Sequence, residues 1–307
     1  MVKPIIGRVG GKVRLAPWIL EQCLRFQWSI WVEPFCGSAA VYFRLVKDGI
    51  PELVKSRGHH FRSVLNDADS RIVQLFKTCR DHPELLAYAV AMTPYSREEH
   101  RLAQSKTEPL DEIELARRYL VDGWQSFKKM QGDVWGISTH VIPNGQNGGD
   151  ASPHIPWHTL PDRILNTTDH LRRCYIENDD AVKVIERWAT PHTCIYADPP
   201  YVGLENYYAH NAKSGKSDNL ELHYRLAEAL NTVEAACVAV SYYPCDLVDE
   251  LYPKAHWERH YKDTVASSAG ITRNSKTRTR PKRQELLLIR KSTTTVTVNL
   301  SGQLGLF

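Results

Sequence analysis

The sequence predicts an α/β fold that carries an inserted, mainly helical region, on three observations. Short runs rich in β-branched and aromatic residues end in turn residues and are followed by helix-periodic or turn segments. Residues 81–170 break that order. The composition of the 307-residue chain, 42% hydrophobic and 24% charged, suits a packed core and excludes disordered or collagen-like classes.

The first predicted strand is Ser29–Glu33, ending at Pro34 and a Gly37-Ser38 turn, and the helix Ala39–Val46 follows. The second is Phe61–Leu65, ending at Asn66-Asp67, with a helix from Ser70 to about Cys79. Leu85–Met92 and Ile113–Met130 read as helices, whereas Asp133–Pro161 is rich in Gly, Asn, Pro and His. A loop of that length in a compact domain is usually functional. The third strand, Thr193–Ala197, runs into Asp198-Pro199-Pro200-Tyr201; the polar stretch Asn206–Asn219 after it is expected to be mobile. Val238–Ser241 and Glu285–Ile289 read as further strands. The expected organisation is a core of residues 1–80 and 171–291, an insertion of 81–170 and a flexible tail of 292–307.

No apolar run approaches the ~18 residues that span a bilayer, and the N-terminus lacks a secretory apolar region, so a cytoplasmic protein is expected. The seven cysteines form no CxxC pair and no zinc-ligand spacing, which favours packed, reduced thiols and no metal. The net charge is only +4. Between Arg273 and Arg283, however, lie Arg273, Lys276, Arg278, Arg280, Lys282 and Arg283 with no acid among them. Such a block suits phosphate contact or a solvated face.

Three constellations carry chemistry. In Asp198-Pro199-Pro200-Tyr201 the proline rings fix φ and remove N–H groups, leaving the Asp198 and Pro199 carbonyls to accept from a ligand amine. An acid at a strand's carboxyl end sits where open α/β sheets bind ligands, and Tyr201 can offer a ring to a planar base. Glu33-Pro34-Phe35-Cys36-Gly37-Ser38 joins strand to helix through a glycine that allows close backbone approach. Asp67 suits either a ribose contact or an N-cap for the helix near Ser70.

In this order the three elements resemble the Dam-like family of DNA adenine-N6 methyltransferases. Glu33-Pro34-Phe35-Cys36-Gly37 resembles the family's (D/E)PFxGxG segment, Asn66-Asp67 its N-D element and Asp198-Pro199-Pro200-Tyr201 its DPPY, while Gly10-Gly11-Lys12 resembles its GGK. The likeness spans about Lys3 to Ile289 apart from the insertion. It implies a Rossmann-like methyltransferase core, S-adenosylmethionine as donor, an adenine in double-stranded DNA as acceptor, and the cytoplasm of a bacterial or phage-infected cell. Asp198, Pro199, Pro200 and Tyr201 would be catalytic. Arg8, Gly10, Gly11, Lys12, Glu33, Phe35, Gly37, Asp67 and Asp180 would bind or shape the donor pocket, with Asp198 at its border. Arg8 stands where an aromatic residue is usual, and Ala39 replaces the second glycine of PFxGxG.

Within the insertion, Gln125, Lys128, Lys129, Gln131, Asn144, Gln146 and Asn147 offer groups for base edges, and Arg117 and Arg118 for phosphates. Arg273, Lys276, Arg278 and Arg280 are expected to clamp the DNA backbone. The C-terminal Gln303-Leu304-Gly305-Leu306-Phe307 is similar to the QLxLF peptide that docks on the replication sliding clamp. Rival readings are a cytosine-N4 DNA methyltransferase, a glutamine-N5 protein methyltransferase and a non-catalytic DNA-binding subunit of the same fold. Asp198, where the glutamine enzymes usually carry Asn, and the intact DPPY weigh against the last two.

Overall fold

The computed structural model describes residues 3–7, 12–105, 107, 111–126, 132, 134–136, 157–202, 216–265 and 282–291, without the side chains of 216–219, 265 and 282. Its frame is a seven-stranded sheet in the order β3-β2-β1-β4-β5-β7-β6. The strands are β1 (Ile30–Glu33), β2 (Arg62–Asn66), β3 (Cys174–Glu177), β4 (Thr193–Ala197), β5 (Cys237–Tyr242), β6 (Trp257–Val265) and β7 (Lys282–Arg290). β1 to β5 pair in parallel; β7 runs antiparallel to β5 and β6 antiparallel to β7.

Alternation along the strands builds two apolar layers. Trp31, Leu65, Tyr196, Ala239 and Leu287 point to one face, where they meet helices α1 (Ala16–Cys23), α2 (Ala40–Lys47), α4 (Ser70–Asp81), α5 (Pro83–Ala91), α7 (Glu112–Trp124) and α8 (Leu160–Arg172). Val32, Val64, Ile195, Val240 and Leu288 point to the other, against α9 (Ala181–Trp188), α10 (Lys216–Thr232) and α11 (Asp246–Leu251). Two short helices, α3 (Ile50–Ser56) and α6 (Arg97–Ala103), and a 3-10 turn at Lys12–Arg14 complete the described elements. The helices drawn from residues 81–170 therefore share one hydrophobic cluster with the sheet: Leu86, Leu120, Trp157 and Ile164 are buried beside Trp31 and Leu65. At roughly 25 cal/mol per Å² removed from water, that shared burial binds them to the core.

Several boundaries differ from the sequence reading. The helix expected over Ile113–Met130 ends at Trp124. Gln125 turns inward, its side chain accepting from Ser96 N (3.0 Å) and donating to the Pro94 carbonyl (3.0 Å), and Ser126 forms an antiparallel bridge with Trp135. The loop expected to run through Pro161 gives way earlier, because Trp157 is buried and Pro161 lies in the first turn of α8. The last four residues of the polar stretch expected to be mobile, 216–219, are helical. Two strands went unforeseen. β3 has a half-exposed pattern, and the edge strand β6 reads Trp-Glu-Arg-His-Tyr-Lys-Asp-Thr-Val, without the apolar run of an interior strand.

Candidate active site

The strand order reverses between β1 and β4: the chain passes from β1 outward to β2 and β3, then returns to β4 on the other side. Carboxyl ends flanking such a reversal splay apart and form the crevice in which open α/β sheets hold ligands. Asn66 rivets three of these ends together. Its amide donates to the carbonyls of Pro34 (2.9 Å) and Asp179 (3.1 Å), and its oxygen accepts from Asp179 N (2.9 Å).

After β1, Gly37 and Ala39 both take the left-handed backbone conformation, with φ of 49° and 51°. Glycine does this freely; alanine pays for its Cβ. Asp67 braces this turn, accepting from Gly37 N (2.9 Å) and Asp69 N (2.9 Å). The N-cap role that Asp67 was given as an alternative belongs to Asp69, which accepts from Arg71 N (3.1 Å). Asp180 caps α9 through Val182 N (3.0 Å) and Lys183 N (3.3 Å), and its Oδ1 also meets Arg225 (3.1 Å). Phe35 lies half-buried beside this crevice, packed on the second apolar layer.

Asp198 follows β4 directly, half-exposed, with Pro199 buried and Pro200 half-buried. The Lys12 ammonium sits 3.0 Å from Asp198 Oδ1 and 3.9 Å from Glu285 Oε2, and donates to the Tyr201 hydroxyl at 2.8 Å. Tyr201 in turn donates to Glu285 Oε2 at 2.7 Å. Its ring packs edge-on against Tyr243, with centroids 4.5 Å apart, and the Arg283 guanidinium lies over the Tyr243 ring at 5.5 Å. Glu33 lies under this cluster, 2% exposed, accepting from the Trp31 indole (2.9 Å). Burial, with a smaller push from the Asp198 charge, raises its carboxyl to about 8 against the opposing Trp31 hydrogen bond. Burial likewise raises Glu285, opposed by Lys12 and Tyr201, and raises the Tyr201 phenol, where Asp198 and Glu285 add to the effect.

A buried lysine among carboxylates at the carboxyl end of β4, roofed by two tyrosines, is suited to seat a planar, amine-bearing group. The model of the D12 class N6 adenine-specific DNA methyltransferases matches residues 9–125 and 151–266, well over half of the chain. The chain belongs to this family. It is thus an adenine-specific DNA methyltransferase with a Rossmann-like fold. No curated protein matches it.

Within this methyltransferase, Lys12, expected among the donor contacts, meets Asp198 and Tyr201 of the turn after β4. Glu33 is turned into the interior, where the Trp31 indole donates to it. Arg8, Gly10, Gly11, Lys128, Lys129, Gln131, Asn144, Gln146, Asn147, Arg273, Lys276, Arg278, Arg280 and Gln303–Phe307 lie outside the described residues. Three expected DNA contacts need correction. Arg117, with a side chain 11% exposed, is held by Glu114, Glu99 and Thr93 at 2.6–3.1 Å. Arg118 is bound to Glu114 (2.7 Å) and the Thr107 carbonyl (2.6 Å), and Gln125 is fully buried. All three brace the helical layer, because removing these polar groups from partners inside would cost more than a phosphate or base contact returns.

The sequence reading missed Glu285, an acid opening an apolar run directly after the basic block, and Tyr243. It also missed that Cys23, Cys194 and Cys237, fully buried near the amino ends of β4 and β5, bring their sulfurs within 4.8 Å of one another. Three soft ligands converge there, far along the strands from Asp198.

Proposed function

We propose that the chain transfers the methyl group of S-adenosylmethionine to N6 of an adenine rotated out of double-stranded DNA, with Asp198-Pro199-Pro200-Tyr201 as the acceptor site. The observation that carries this reading is the Lys12–Asp198–Tyr201 cluster at the strand-order reversal. The donor side fits a nucleoside-bearing ligand: the left-handed Gly37 turn allows close approach, and Asp180 stands just past the end of β3. When bound, the donor supplies an electrophilic sulfonium methyl. Glu33, Phe35, Gly37 and Asp67 shape its cavity, and Arg8, Gly10, Gly11 and Asp180 are its proposed contacts.

A stacked adenine cannot reach such a crevice, so the base leaves the duplex at a cost of a few kcal/mol. The Asp198 carboxylate and the Pro199 carbonyl accept the two N6 hydrogens. That directs the nitrogen lone pair at the methyl group and favours the charged transition state over the ground state. Lys12 orients Asp198 through Oδ1, and Tyr201 lines the base pocket.

β6 ends and β7 begins at the paired Val265 and Lys282, on the same edge of the sheet as Asp198. This supports Arg273, Lys276, Arg278 and Arg280, which lie between them in sequence, as contacts to DNA phosphates. Neutralising two of them is expected to lower the steepness of the salt dependence of DNA binding and to leave the preferred site unchanged. Lys128 and Lys129, between the bridged Ser126 and Trp135, are proposed to face bases or phosphates. Gln303, Leu304, Leu306 and Phe307 are proposed to dock on a sliding clamp, tested by calorimetry with and without the pentapeptide. A cytoplasmic location accords with these partners.

Expression in a host free of DNA methylation, followed by modification-sensitive sequencing, tests the central reading. N6-methyladenine at one recurrent site is expected. Asp198→Ala is expected to bind donor normally and lose methylation by about a thousandfold or more. Unmodified DNA from the wild-type enzyme, or near-normal turnover in the variant, overturns it.

A further inference from the structure

Glu285 reaches the site from β7, the antiparallel strand that the five parallel strands do not need for a donor crevice. Its neighbour Leu286 is buried in the second apolar layer, and Leu287 in the first, so alternation turns Glu285 to the first face, where Lys12 lies. One oxygen, Oε2, serves both partners: it accepts from the Tyr201 hydroxyl at 2.7 Å and stands 3.9 Å from the Lys12 ammonium. Lys12 itself is nearer to Asp198, at 3.0 Å. The side chains of Lys12 and Glu285 are 8% and 9% exposed, so neither charge is screened by much water.

The reaction adds a demand to this arrangement. Asp198 holds Lys12 through Oδ1 while its other oxygen must meet an incoming amino group, and a buried lysine whose nearest anion shares its charge in this way is costly to keep in place without a further anion. We propose that Glu285 is a positioning residue for methyl transfer: it holds the Tyr201 hydroxyl and supplies a second anion to Lys12, so that Lys12 and Tyr201 stay seated while Asp198 turns its other oxygen to the base. The inference rests on the function proposed above and adds a residue to its site. Tyr201 gains a fixed ring plane, because its hydroxyl both accepts from Lys12 and donates to Glu285 while Tyr243 packs its edge.

Among the described residues, the charged and titratable groups around Glu285 are Lys12 on the N-terminal segment, Asp198 and Tyr201 after β4, Arg283 on its own strand and Lys262 opposite it on β6. Glu285→Gln keeps an acceptor for Tyr201 and removes the charge; Glu285→Ala removes both. Full-length wild type and both variants are compared for melting temperature, donor and duplex affinity, and single-turnover methylation rate. The pH dependence of Lys12 acylation by acetic anhydride is read by mass spectrometry.

Glu285→Gln is expected to keep its melting temperature and both affinities, methylate about tenfold more slowly, and acylate Lys12 at lower pH than wild type, since a lost anion favours the neutral amine. Glu285→Ala is expected to slow methylation further, by about a hundredfold, as Tyr201 also loses its acceptor. Wild-type rates in both folded variants overturn the inference, as does an unmoved Lys12 acylation profile, including when the variants are merely less stable. A wild-type enzyme that methylates no adenine while Lys12 still shifts overturns the proposed function instead.

Discussion

Lys12 and Arg117 are both basic side chains withdrawn from water and set between two carboxylates, yet they answer different needs. Arg117 is clamped from all sides: Nε and Nη2 donate to the two oxygens of Glu114, and Nη1 donates to Glu99 (2.7 Å) and Thr93 (3.1 Å). Its partners lie on α6, α7 and the segment after α5, all within the helical layer. Lys12 instead joins the N-terminal segment, the turn after β4 and strand β7, and its nearest acid, Asp198, is 23% exposed toward the crevice. A closed ion cluster fixes architecture. An open one, with an acid facing solvent, keeps charge available to a ligand.

Substitution separates the two cases. Lys12→Met is expected to lower the methylation rate by a hundredfold or more, an effect of about 3 kcal/mol or more on the barrier, in a folded enzyme; single-turnover kinetics with donor saturating would read it. Arg117→Met is expected to do the reverse. It leaves Glu99 without its cation and Glu114 with Arg118 alone, and costs about 3 kcal/mol of stability in urea denaturation, while the rate per folded molecule stays near wild type. If Arg117→Met abolishes methylation in a stably folded chain, the contrast is broken.

Glu33 sharpens the comparison with a buried acid that, among the described residues, has no cation beside it. Its ordinary value of 4.5 is raised to about 8, so the folded chain holds the proton more tightly than the unfolded chain. The resulting stabilisation is whole below pH 4.5 and is lost as pH rises through about 8. Glu33→Gln, which cannot ionise, should gain on wild type by on the order of 3 kcal/mol between pH 5 and pH 8. Parallel urea curves at both pH values would rule out the raised carboxyl.

Ala39 gives the smallest effect. Its left-handed φ of 51° costs roughly 1 kcal/mol, but Ala39→Gly also loses a buried methyl worth roughly 0.8 kcal/mol and adds freedom to the unfolded chain. Stability within about 0.5 kcal/mol of wild type is expected from thermal melts. A clear gain would mean that the turn after β1 is more strained than its one left-handed alanine implies.

Much of this was legible beforehand where the signal is local. The strand ends at Glu33, Asn66 and Ala197 announce themselves through an apolar run that stops at Pro, Asn-Asp or Asp-Pro-Pro, and the family resemblance rests on those same short segments. The DNA-contact reading of Arg117, Arg118 and Gln125 failed for a nonlocal reason. A polar side chain looks the same in sequence whether its partner is a phosphate or Glu114 one helical turn away. β6 escaped notice because an edge strand packs on one side only and needs no apolar run. The three-cysteine cluster escaped because its members approach through α1, β4 and β5, which share no spacing rule.

Sequence alone settled the α/β class, the acid-proline turn after β4 and the family, since each is written in a few contiguous residues whose backbone preferences are intrinsic. Tertiary structure alone decided that Lys12 meets Asp198, Tyr201 and Glu285, and that Arg117 faces inward. Those outcomes depend on which strands become neighbours and which face each side chain takes, and a one-residue change of register in β7 would have turned Glu285 to the opposite layer.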